Sequence, residues 1–232
     1  MDKILEDIKV IGFDADDTLW VNEPYFQEVE KEFCLLFSDR YTAEEVSAEL
    51  FSTEMQNLSS YGYGVKAFTL SLIETALRID SGCTSAKVKQ VLELGRSILN
   101  KPVVLLDGVH EVINALRGSY RLIVATKGDL LDQQRKLKKS GLEHYFHHVE
   151  IMSDKKEEDY QALISHLDIE PKNFLMIGNS LKSDILPVLT LGGKGIHIPY
   201  HVTWQHEVVG VKSVNSNSCI TLQSLLDFHA FL

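Results

Sequence analysis

The sequence predicts an α/β protein, a doubly wound parallel sheet with a small all-helical cap domain. Three observations lead to this. Short apolar, β-rich runs recur at 8–13, 122–125, 148–152, 174–177 and 195–198. Most lack polar alternation, which is the pattern of strands buried on both faces. Helical segments separate the last four runs, and strand–helix–strand repeats imply right-handed crossovers in one sheet. Between the first and second runs, by contrast, there is a long stretch with helical pattern and no convincing strand.

Taken in order, 8–13 is the first strand, and helices follow at 24–36, 43–58, 65–79 and 85–99. Pro24 suits a first helical turn. Thr42 and Glu45 have the spacing of a capping box. An all-helical insert of this size reads as a separate cap, so the expected domains are a discontinuous core of 1–20 and 101–232 and a cap of 21–100. Pro102 and the Asp107-Gly108 turn mark the return to the core, and 109–117 is a helix leading into the second strand. The helix at 130–139 carries Leu130, Leu131 and Leu137 and stops at Ser140-Gly141. A helix at 158–167 precedes the Pro171 break, and one at 183–191 ends at Gly192-Gly193.

Composition bounds the function. A chain of 232 residues with 44% hydrophobic and 24% charged residues is ordinary for a globular enzyme. There are 33 acidic and 23 basic residues, a formal charge of −10, which argues against a nucleic-acid backbone or an anionic membrane as partner. A small phosphorylated substrate remains compatible, because a few local cations can reverse the potential inside one cleft. The N-terminal residues mix acids and lysines and do not resemble a secretion signal. No apolar run has the length of a membrane span. Cys34, Cys83 and Cys219 are far apart and form no CxxC pair, as expected of reduced thiols in the cytoplasm.

The chemistry concentrates in Ile11-Gly12-Phe13-Asp14-Ala15-Asp16-Asp17-Thr18. Here three carboxylates stand at the carboxyl end of a buried strand, where open α/β sheets bind ligands. They repel one another unless a cation or hydrogen-bond donors compensate. The plainer reading is a turn with an N-capping aspartate. The sharper one makes Asp14 a nucleophile that accepts a phosphoryl group. Asp16 would then be the general acid for the leaving group and the base for the attacking water. Mg²⁺ would bridge Asp14 and the phosphate.

This Asp-x-Asp-x-Thr pattern resembles the first motif of the haloacid dehalogenase superfamily, and three further strand-end segments match in order. The resemblance implies that Thr126 holds a phosphate oxygen, with the Lys127 and Gly128 backbone N–H groups adding donors. It also implies a charge-neutralising lysine. Lys155 and Lys156 both qualify, and Lys155 is preferred because in resembling sequences this residue precedes an aromatic, here Tyr160. The fourth segment, 174–184, places Asp184 on the loop after a strand. Asn179 stands where the family most often has Asp. The implied metal ligands are Asp14, the Asp16 backbone carbonyl and Asp184, with Asn179 on the metal or on a bound water. The helical insert matches the family's first cap type. Asp16 favours a Mg²⁺-dependent phosphatase acting on a small phosphorylated metabolite over a dehalogenase. A phosphomutase of the same fold is the alternative, and a non-catalytic binding module a further one.

Two segments stand outside these motifs. Tyr61-Gly62-Tyr63-Gly64 reads as a tight turn displaying rings or as a plain loop. The segment 197–207 holds His197, His201, Trp204 and His206 just after the last predicted strand. Packing is its leading reading, substrate contact by His201 and Trp204 the alternative, and the histidine spacing fits no standard zinc pattern.

Overall fold

Six parallel strands form one sheet in this computed structural model, which describes residues 3–210 and 217–231. The strands are β1 (Val10–Phe13), β2 (Arg121–Lys127), β3 (His148–Met152), β4 (Phe174–Gly178), β5 (Lys194–His197) and β6 (Cys219–Thr221), in the order β3-β2-β1-β4-β5-β6. The apolar runs have no polar alternation because both faces are covered. Ile11, Phe13, Leu122, Val124, Leu175 and Ile177 pack into one buried layer. Val10, Ile123, Ala125, Phe174 and Met176 alternate with them and pack into the other.

Helices supply both layers. α5 (Val109–Leu116) buries Val109, Val112, Ile113 and Leu116 on the first face. α7 (Glu157–His166) buries Tyr160, Leu163 and Ile164 on the second. Between β2 and β3 runs α6 (Leu130–Ser140). The short α8 (Leu186–Thr190) precedes β5 and places Val188 in the second layer.

Two sequence expectations change here. The single helix expected over 183–191 is instead a π-helical turn, Leu181–Ile185, leading into α8. The Leu186 N–H reaches back to the Leu181 carbonyl, Ser180 caps the turn through the Ser183 N–H, and Pro187 cannot extend an ordinary ladder. The three-residue β6 was not anticipated. It is too short for a periodic signal and is defined only by pairing with β5.

The remaining helices, α1 (Glu23–Leu35), α2 (Ala43–Tyr61), α3 (Val65–Ile79) and α4 (Ser85–Asn100), have their own core. Phe33, Phe37, Leu50, Val65, Phe68, Leu72, Val91 and Ile98 are buried there. The α2 capping box is complete, because Thr42 Oγ1 accepts from the Glu45 N–H at 3.2 Å while Glu45 Oε2 accepts from the Thr42 N–H at 2.9 Å. Gly95 lets α4 lie against α3, since any Cβ there would run into Thr69.

The chain divides into two compact units, a helical one of Pro24–Pro102 with Gly128–Gln134 and an α/β one of the remainder. The sequence reading assigned 128–134 to the α/β core. These residues group with the helices because Asp129 pairs with Lys66 at 2.9 Å and its backbone packs on Gly64.

Candidate active site

β1 lies between β2 and β4, with Phe13 paired to Val124 on one side and Ile177 on the other. Residues just past these strand ends therefore converge at the point from which strand order runs outward both ways, the usual ligand position in such sheets. Asp14 is fixed there by its own N–H, which donates to the Ile177 carbonyl at 2.9 Å.

Lys155 comes from the loop between β3 and α7. Its Nζ lies 2.5 Å from Asp14 Oδ1 and 2.6 Å from Asp184 Oδ1, and all three side chains are buried. Lys156 is exposed and pairs with Asp154 at 3.0 Å, so of the two candidate lysines only Lys155 is brought to Asp14. Burial pushes the Asp14 carboxyl up to about 7; Lys155 opposes that shift and Asp184 adds to it. Burial alone would lower the Lys155 pKa, but Asp14 and Asp184 hold it well above the ordinary lysine value.

The three carboxylates after β1 have separate environments. Asp16 Oδ1 accepts from Trp20 Nε1 at 2.7 Å and from Lys136 Nζ at 2.5 Å. Lys136 also donates to Asn22 Oδ1 at 3.0 Å. Asp17 is the capping residue of the plainer reading. It sits at φ +61° and accepts from the Asn22 and Glu23 N–H groups at 2.8 and 2.9 Å.

Thr126 and Lys127 end β2, with Thr126 buried. The Lys127 side chain turns toward Glu207, whose Oε1 lies 2.5 Å from its Nζ. Gly128, expected to add a phosphate donor, groups with the helical unit and adopts φ +133°.

Asp184 lies on the π-helical turn after β4, and its Oδ2 accepts from the Ser180 N–H at 2.9 Å. The carboxylate packs so closely over Gly178 that a Cβ at 178 would occupy its place. Asn179 is half-buried. Its Oδ1 is 3.4 Å from Thr18 Oγ1, and its carbonyl oxygen is 3.1 Å from His197 Nε2. His201 is exposed and the Trp204 ring lies tilted against His206, so the segment's histidines do not gather. Among the described residues, no three His, Cys, Asp or Glu side chains form a metal-holding group.

Sequence reasoning missed Trp20, Lys136, Ser180 and Glu207. Glu207 lies in a segment that had been singled out, but for its histidines. The contact between Asp16 and Lys136 spans 120 residues and leaves no local signal.

Comparison with known proteins gives a consistent answer. The haloacid dehalogenase-like hydrolase family matches residues 8–188. The chain belongs to that family. It is therefore an enzyme, a hydrolase. A haloacid dehalogenase-like family hydrolase from Xanthomonas campestris is 34% identical and superposes with a TM-score of 0.85, over 97% of this chain and 90% of that one. A family hydrolase from Bacillus subtilis, crystallised with magnesium, is 18% identical with a TM-score of 0.66, covering 97% and 98% of the two chains, and shares the fold. The N-acylneuraminate-9-phosphatase of Mus musculus is 25% identical, over 82% of each chain.

The donor chemistry fits the hard cation that the family implies. Asp14 and Asp184 place two buried carboxylates against one ammonium, which leaves an excess of negative charge on oxygen donors. Mg²⁺ commonly binds through one or two carboxylates and keeps several waters, so a third acidic side chain is not required. Asp14, Asp184, Asn179 and the Asp16 carbonyl are the residues that would hold it.

Proposed function

We propose that this hydrolase is a phosphatase that removes the phosphoryl group from a small phosphorylated metabolite through an aspartyl-phosphate on Asp14. The observation that carries this reading is the buried Asp14–Lys155–Asp184 cluster, with Asp16 two residues on, at the strand-end cleft. A dehalogenase also forms an ester on its first aspartate, but it needs no phosphate-directed acid and no metal site, whereas this cluster has both Asp16 and an uncompensated negative charge.

In the first step, Asp14 attacks phosphorus through a carboxylate oxygen, the bond to the leaving oxygen breaks, and Asp16 supplies that oxygen's proton. The Thr126 hydroxyl and the Lys127 and Gly128 N–H groups hold the phosphoryl oxygens, and the Lys155 ammonium offsets their charge. In the second step, a water gives its proton to Asp16 and attacks phosphorus, releasing phosphate and restoring Asp14. Trp20 and Lys136 orient the Asp16 carboxyl throughout. Mg²⁺, when bound, neutralises the charge between Asp14 and the phosphoryl oxygens.

Because one relative is a phosphatase of a sugar-acid phosphate, phosphorylated sugar acids are the first substrates to try. Three free thiols fit a cytoplasmic setting, and no helix among the described residues is long and apolar enough to cross a membrane. The test is hydrolysis of p-nitrophenyl phosphate with Mg²⁺. We expect Asp14→Asn to lower turnover by about a thousandfold or more. Wild-type turnover no higher than that variant's would overturn the reading.

A further inference from the structure

We propose that Glu207 is a positioning residue, which ties the end of β2 to the π-helical turn carrying Asp184. The inference rests on the phosphatase reading, because it assigns a role toward that site. Both oxygens of the Glu207 carboxylate are engaged. Oε1 meets Lys127 Nζ at 2.5 Å, and Oε2 accepts from Ser180 Oγ and Ser183 Oγ, each at 2.6 Å. Lys127 Nζ also donates to Ser183 Oγ at 3.0 Å, which closes a ring of three side chains, and Ser180 joins it through Glu207. The Glu207 and Lys127 side chains are only 11% and 17% exposed, so this pair is not a solvated surface bridge.

The ring continues into the site. Ser180 gives its N–H to Asp184 Oδ2, Asp184 Oδ1 meets Lys155, and Lys155 meets Asp14. A second tether runs alongside, from Lys182 Nζ to the His206 carbonyl at 2.8 Å. Glu207 itself is placed by a short 3-10 turn, in which its N–H donates to the Trp204 carbonyl at 2.9 Å. Burial alone would raise the Glu207 pKa; the Lys127 charge and the bonds from Lys127, Ser180 and Ser183 instead bring it down to about 2. The carboxylate is therefore an anion held entirely by the two loops it joins.

Two consequences follow for Lys127. Its ammonium meets Glu207 and Ser183, and the contribution proposed for Lys127 toward the phosphoryl group is through its main-chain N–H. Its side chain, through Glu207, fixes where that main chain lies. Outer partners of this kind typically influence rate through geometry, by about ten- to a hundredfold.

The experiment compares wild type, Glu207→Gln, Lys127→Met and the double variant Lys127→Met/Glu207→Gln on p-nitrophenyl phosphate with Mg²⁺, with thermal unfolding of each. We expect Glu207→Gln to lower kcat by about tenfold or more while KM stays within about threefold. The double variant should be no slower than the slower single variant, because the pair acts as one unit. It removes both charges and leaves no buried ion unpaired, so it keeps the fold even where a single variant does not. A folded double variant with kcat within about twofold of wild type, or single losses that multiply in it, would overturn the inference. Absence of wild-type turnover above Asp14→Asn would instead sink the phosphatase reading, so the two failures are distinguishable.

Discussion

Two lysines, Lys155 buried and Lys127 half-buried, stand past neighbouring strand ends, and their surroundings are built on opposite plans. Lys155 faces two carboxylates, Asp14 and Asp184, which leaves the cluster with one negative charge in excess. Lys127 pairs with the Glu207 carboxylate, which also accepts from two serine hydroxyls. The first centre is open, in that its excess negative charge is offset only by a cation or a proton. The second is closed, in that both oxygens of its carboxylate are already bonded within the protein. A buried ion pair is a poor source of net stability but a good means of fixing geometry, and the closed centre fits that use.

The largest test of this contrast is Lys155→Met. It should reduce phosphatase turnover by about a thousandfold and lower stability by about 3 kcal/mol, the low end for breaking a buried pair. The cost stays at the low end because burial already holds Asp14 near 7, so protonation can absorb part of the unpaired charge. Kinetics and denaturant unfolding of the same variant check both numbers. Asn179→Asp adds an anion to the open centre alone, and should tighten the Mg²⁺ concentration needed for half-maximal activity by about tenfold. An unchanged Mg²⁺ requirement would show that residue 179 does not sense the cation.

The closed centre should reveal itself in acid. The Glu207 pKa falls from 4.5 to about 2 on folding, so its contribution to stability is complete above about 4.5 and is lost as pH falls toward 2. Wild type should therefore lose more stability across that interval than Lys127→Met/Glu207→Gln, as followed by urea unfolding. The smallest effect is expected from Lys156→Ala, because Lys156 is exposed and pairs with Asp154 rather than with Asp14. Turnover should stay within about twofold of wild type, with no measurable change in stability. A large loss there would reverse the assignment of Lys155 over Lys156.

How far the sequence could be read follows from the range of each interaction. The central strands β1, β2 and β4 were legible because burial on both faces writes a continuous apolar run, and the capping box of α2 because Thr42 and Glu45 are local to each other. Asp14, Thr126 and Asp184 were legible as positions because strand ends are easy to find from such runs. The π-helical turn was not, since it depends on Ser180 and Pro187 interrupting what otherwise reads as one helix. Nor were the partners of Asp16 and Lys127, which lie 120 and 80 residues away and are joined to them only by folding. The choice between Lys155 and Lys156 turned on which of two adjacent side chains points inward, and the sequence alone offered only the position of Tyr160 to decide it.

Gly178 has a consequence for variation in this chain. A methyl group added at that position would displace the Asp184 carboxylate without altering any acidic residue. Alanine there is therefore the smallest chemical edit that disturbs the Asp184 carboxylate while leaving the full complement of titratable groups in the chain.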